Sequence, residues 1–167
     1  RVDFPEMNEE KSKGFVNIIR QNSAGYDYIV FDNASGLSPF TRAVIESADV
    51  NILVTTPEPT SVMDAYVVIK HLKVKECISK KLLVVNKCLQ KDDSEKAYLN
   101  LKKAAEHFLK TEIEFLGGID FSKEVMASIQ SQEPFCTVFK GNSISIQLDK
   151  LVSGFIEYAH MANTGQK

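Results

Sequence analysis

The chain has 167 residues, enough for one domain that buries about 70% of its unfolded surface. Hydrophobic residues make up 44% and charged residues 25%, ordinary values for a soluble globular protein. The net charge of −2 gives no strong nucleic-acid signal, since such surfaces usually carry a basic patch, and no apolar run reaches the roughly 18 residues of a membrane-spanning helix.

Taken in chain order, the first predicted element is a helix over Glu9–Asn22, with Phe15, Val16, Ile18 and Ile19 apolar and Ser23-Ala24-Gly25 as its end. Tyr26–Asp32 reads as a short apolar strand. Ser38-Pro39 starts a helix to about Ser47, because Ser caps and Pro suits the first helical position. Val50–Thr55 is a second strand. Thr60 or Ser61 opens a helix through His71, with Val62, Ala65, Tyr66 and Ile69 on one face. Leu82–Asn86, apolar on both faces, fits a buried parallel strand. Asp93–Leu109 is a long helix with Tyr98, Leu101, Ala105 and Phe108 inward. Glu112–Leu116 is a fourth strand and Lys123–Gln130 a short helix. The last helix, Ser143–Met161, carries one stripe of Ile144, Leu148, Leu151, Val152, Phe155 and Tyr158. The polar end from Ala162 to Lys167 is expected to fray. Alternating strands and helices predict an α/β fold, a mostly parallel sheet covered by helices on both faces. No linker or repeat interrupts it, so residues 1–167 form one domain.

In α/β proteins ligands collect at the carboxyl ends of strands. Asp32 ends such a strand and is followed by the small turn residues Asn33-Ala34-Ser35-Gly36. Such an acid either holds a nucleotide-bound Mg²⁺ or caps the next helix. Asn86, ending Val84-Val85-Asn86-Lys87, offers an amide that both donates and accepts, or closes its strand by an Asx turn. Three cysteines (Cys77, Cys88, Cys136) form no Cys-x-x-Cys pair and read as reduced thiols of a cytoplasmic protein. His71, His107 and His160 are too dispersed for a metal cluster. The opening Arg1-Val2-Asp3-Phe4-Pro5 is not a signal peptide.

The string Thr-Thr-Pro-Glu-Pro-Thr-Ser-x-x-Asp-Ala-Tyr over Thr55–Tyr66, with Phe115-Leu116-Gly117-Gly118-Ile119 and Gln132-Glu133-Pro134-Phe135 later, resembles the MinD/ParA group of P-loop ATPases. Within that group it resembles the FlhG (YlxH, FleN) branch, which controls flagellar number and placement. The resemblance runs from about Tyr26 to Leu151. It implies ATP and Mg²⁺ as cofactors of the intact protein, with Asp32 as metal residue. It also implies nucleotide contacts from Asn33, Gly36, Asn86, Lys87 and Asp120. An ATP-dependent homodimer and flagellar assembly or regulatory proteins are the implied partners.

The sequence departs from the group in three places. No Gly-x-x-x-x-Gly-Lys-[Ser/Thr] loop occurs, nor the Lys-Gly-Gly-x-Gly-Lys variant, so no phosphate cradle is present. The chain therefore reads as the C-terminal portion of such an ATPase, without catalytic residues of its own and inactive alone. Ala34 stands where a glycine is usual, and Asp120 and Ser122 replace the proline and acid of the second base-contacting loop. The altered Asp32 turn and the missing loop also fit a non-catalytic, ATPase-like interaction protein. The Thr55–Tyr66 string serves either loop structure or partner contact. The final helix is expected to bury its stripe on the sheet, leaving no basic amphipathic face for a membrane anchor.

Overall fold

Five consecutive buried residues, Lys81–Val85, place β2 (Lys80–Cys88) at the centre of the molecule. A strand apolar and buried on both faces suits the middle of a sheet covered by helices, and both edges of β2 are paired: β1 (Val50–Thr55) and β3 (Glu114–Asp120) flank it in parallel, in the order β1-β2-β3. This computed structural model describes residues 8–164, and side chains as far as Ala159. The chain's opening pentapeptide and residues 165–167 lie outside the described residues.

The period-2 alternation of the strands divides the core. Leu53, Leu83 and Val85 point to one face, where α3 (Pro59–Val74) and α4 (Asp93–Ala104) cover them with Ala65, Ile69, Ala97 and Leu101. Leu82 and Val84 point to the other, where α7 (Ser143–Thr164) lies against β3. The outer face of β1 stays open: Ile52 and Val54 are exposed. Helices α1 (Glu9–Gln21) and α2 (Pro39–Ser47) pack on each other through Val16, Ala43 and Val44. Buried Asn51 ties α2 to the sheet by donating from Nδ2 to the Ile45 carbonyl and to Ser79 Oγ, both at 2.9 Å. His71 Nε2 and Glu46 Oε1, 2.7 Å apart, join α3 to α2.

Helix starts follow the chemistry of their caps. Ser38 Oγ accepts from the Thr41 N–H at 3.1 Å, and Pro39 takes the first helical position. At α3 the cap is Glu58 rather than Thr60 or Ser61. Ser61 Oγ instead accepts from the Thr56 N–H and meets Thr55 Oγ1 at 2.9 Å, which fastens the Pro57–Pro59 loop to the end of β1.

Three expectations need correction. Tyr26–Asp32 is not a strand. An extended segment becomes one only when a neighbour supplies its ladder, and β1, β2 and β3 all leave it unpaired. Tyr28 leans on Phe155 of α7 with ring centroids 5.8 Å apart, while Val30 stays 84% exposed. Second, Phe108 points outward. The chain continues α4 as a π-helical turn over Ala105–Leu109, closed by Lys110 at φ 49°, and the wider turn rotates Leu109 instead of Phe108 onto the core. Third, Val152 lies off the α7 stripe and is exposed, whereas Ile144 and Leu151 are buried. Beyond these, α7 runs to Thr164, β3 starts two residues later and ends four residues later than the expected Glu112–Leu116, and a one-turn helix α6 (Phe135–Val138) follows α5 (Lys123–Ser131). No helix among the described residues is long and apolar enough to cross a membrane.

Candidate functional site

At the carboxyl ends of β2 and β3 lies an open cleft of about 660 Å³, lined among others by Cys88, Ser94, Gly118, Asp120, Phe121 and Gln147. Its two walls are stitched together by the last rung of the sheet, where the Phe121 N–H donates to the Cys88 carbonyl at 2.8 Å. Its rim is the β2–α4 loop, closed by Asp93, whose Oδ2 accepts from the N–H groups of Leu89 and Gln90 at 2.9 and 2.8 Å.

Two of the expected nucleotide-contacting residues, Asn86 and Lys87, immediately precede the cleft-lining Cys88, in a bulge of β2. Between Val85 and Cys88 the ladder slips, and Lys87 adopts φ 61°, a left-handed conformation that a lysine rarely takes. The bulge lets Asn86 Oδ1 accept from the Lys87 N–H at 2.8 Å. One lone pair of the Asn86 oxygen is therefore engaged locally, and its Nδ2 remains a donor. Asp120, the third, ends β3 and lines the cleft itself. Its N–H donates to Gln147 Oε1 at 3.0 Å, while its carboxylate Oδ2 accepts from Gln147 Nε2 at 2.8 Å.

Ser122 caps α5, accepting from the N–H groups of Glu124 and Val125. Its hydroxyl thus serves the helix. Gly118 needs its bare α-carbon here: an added Cβ would stand 2.6 Å from Ser94 Cβ. Gly117, at φ 154°, is held equally close by Leu151 of α7.

Asp32, Asn33 and Gly36 form a separate group. Asp32 is exposed, Gly36 sits at φ 90°, and among the described residues no hydrogen bond joins this segment to the cleft. Asn33 Nδ2 reaches only the Phe31 carbonyl at 3.5 Å, and its Oδ1 is buried with no donor. Mg²⁺ keeps several waters and takes one or two carboxylates together with substrate phosphates. Exposed Asp32 can supply the one carboxylate of such a set, although no group of three candidate ligands occurs among the described residues.

Burial raises the Cys88 thiol above its ordinary value of 9.0, and the Asp120 and Asp93 carboxylates add to the rise. Cys77 is raised too, by burial and then by Glu46. The folded chain holds these thiols protonated where the unfolded chain ionises them, so both contribute a loss of stability as pH rises through 9.0. Alkylation with iodoacetamide at pH 8 should modify exposed Cys136 first, Cys77 next and Cys88 last. Early labelling of Cys88, read by peptide mass spectrometry, would mean the cleft wall opens in solution.

Gln147 and Gly118 were not foreseen as site residues. A Gly-Gly pair inside a strand does signal a close approach. Nothing local marks Gln147, which meets Asp120 across 27 residues of sequence.

No protein-family model matches the chain. It is 24% identical over 133 residues to the antiactivator FleN of Pseudomonas aeruginosa, covering 80% of this chain and 48% of FleN. It is 28% identical over 127 residues to the flagellum site-determining protein YlxH of Helicobacter pylori, covering 75% of this chain and 42% of YlxH. The fold matches the MinD cell division protein of Aquifex aeolicus with a TM-score of 0.70 at 22% identity, over 92% of this chain and 62% of that one. The chain thus spans about half the length of the curated relatives it matches, which fits a portion of a longer protein of that kind.

Proposed function

Since the chain belongs to the MinD/ParA group, on its FlhG-like side, we propose that it forms the base-binding part of an ATP-dependent switch protein that regulates flagellar number or placement in bacteria. The observation that carries the reading is the cleft at the ends of β2 and β3, which the Asp120 carboxylate lines and whose lining on the β2 side begins at Cys88, two residues after Asn86. A ring of hydrogen-bond donors and acceptors, flanked by Phe121, suits that space better than an apolar ligand does. Asp32 is the proposed Mg²⁺ residue and Asn33 and Gly36 its neighbours at the phosphates. Lys87, exposed in the bulge, is the proposed further contact next to Asn86. When bound, ATP·Mg²⁺ supplies the phosphoryl chemistry. The residues of this chain hold the base and orient the cation. The whole protein is proposed to work in the cytoplasm as a nucleotide-dependent homodimer that engages flagellar assembly or regulatory proteins.

The chain has no phosphate-cradling loop in its sequence, and much of ATP affinity comes from such a loop. AMP should therefore bind weakly, at millimolar concentration, and Asp120→Ala should abolish that binding in a calorimetric titration. Phosphate release from ATP should not exceed the buffer rate. An ATPase activity abolished by Asp32→Ala would overturn that expectation, and AMP binding unaffected by Asp120→Ala would remove the cleft from the reading.

A second reading, a non-catalytic interaction protein with an ATPase-like fold, is favoured by one feature. One lone pair of Asn86 Oδ1 is already taken by the Lys87 N–H, which removes one of the four hydrogen bonds the amide could offer a base. No nucleotide binding at any concentration up to tens of millimolar would favour this alternative.

A further inference from the structure

We infer that Gln147 is a positioning residue that decides which base the cleft accepts, by holding Asp120 so that one carboxylate oxygen faces the ligand as an acceptor. This rests on the base-binding reading above and names the residue that gives it selectivity.

The geometry is a closed ring. Gln147 receives the Asp120 N–H on Oε1 and donates from Nε2 to Asp120 Oδ2. Both ends of its amide are matched, so reversing the amide would set donor against donor and acceptor against acceptor. The side-chain torsions of Asp120 are thereby fixed to its own backbone. Oδ2 is engaged, and Oδ1, which makes no hydrogen bond among the described residues, is the oxygen left for a ligand. Gln147 lies half-buried in the first turns of α7, a helix anchored on β3 by Leu151 against Gly117. The carboxylate is thus held by a rigid element, not by a loop.

An ionised carboxylate only accepts. The matching group is an N–H donor on the edge of a planar base, such as the exocyclic amino group of adenine. A base that presents a carbonyl at the same place, as hypoxanthine does, would set oxygen against oxygen. Without Gln147, Asp120 is free to turn toward water, and its preference for an amino group over a carbonyl falls away. Replacing Asp120 with Asn and Gln147 with Glu together reverses the side-chain bond of the ring and keeps the backbone one. It restores both bonds and again leaves one oxygen for the ligand.

The test is a pair of titrations of the chain with adenosine and with inosine, followed through the amide resonances of Cys88, Gly118 and Phe121. The wild-type chain should bind adenosine about fivefold or more tightly, the low end of what one unmatched polar group costs. Gln147→Leu should bring the two affinities to within about twofold, because neither base then meets a fixed acceptor. The double variant Asp120→Asn, Gln147→Glu should regain the preference. A purely structural role would lower the thermal midpoint of Gln147→Leu and leave the ratio unchanged, which overturns the inference. Equal binding of the two nucleosides by the wild-type chain overturns it as well, while leaving the base-binding reading standing. Binding of neither overturns both.

Discussion

Leu83→Ala should destabilise the fold by about 3 kcal/mol, and its thermal midpoint should drop by roughly 6–12 °C. Leu83 has 0% exposure on the central strand, where its side chain meets the α3 and α4 layer built around Ile69 and Leu101. Truncation removes apolar contacts and leaves a cavity that neighbours on a flanked strand cannot collapse to fill. Ile52→Ala on β1 provides the comparison. It removes a similar side chain from a strand, but one that is 45% exposed on the open face, and its cost should be under about 1 kcal/mol. Equal losses for the two variants in urea denaturation would mean that the open face of β1 is covered in solution.

Gly118→Val should act on stability and on the cleft together. The added Cβ already collides with Ser94 of α4 at 2.6 Å, and Gly118 and Ser94 both line the cleft. Overpacking of this kind costs about 1–3 kcal/mol. It also forces α4 away from β3 and narrows the space for a ligand. AMP binding should be lost even in the folded variant, as judged by an unchanged circular dichroism spectrum. Ser94→Gly should relieve the clash and recover part of the stability when combined with Gly118→Val. Gly154→Ala is the milder control: an added Cβ there stands 3.2 Å from a Leu116 methyl, a neighbour able to shift.

The alternation of strands and helices was legible because each element carries its own period. Val50–Thr55 appears with the expected bounds, and the apolar run of Leu82–Asn86 sits inside the longer β2. Ser38-Pro39 announced α2 by local cap chemistry alone. What failed depends on partners or on irregular backbone. Tyr26–Asp32 has the composition of a strand, yet pairing is a property of two segments, and composition reports on only one. The π-helical turn that throws Phe108 outward leaves no mark on the apolar spacing of Asp93–Leu109. Of the candidate site, the ends of the strands were readable, and Asn86 and Asp120 fall there. Two further features were not. Lys87 takes positive φ without the glycine that would have signalled it, and Gln147 reaches Asp120 from another element. Ser122 was identified as a departure from its relatives. The structure supplies its use, a helix cap that the sequence pattern Ser122-x-Glu124-Val125 also permits.

The most direct test of the nucleotide reading is where a ligand lands on the folded chain. Uniformly labelled protein titrated with AMP should show saturable amide shifts confined to residues 86–91, 94, 118–121 and 147, around the shared ends of β2 and β3. Shifts that instead gather on the exposed side chains of α5, such as Met126 and Ile129, or that fail to saturate anywhere, would contradict it.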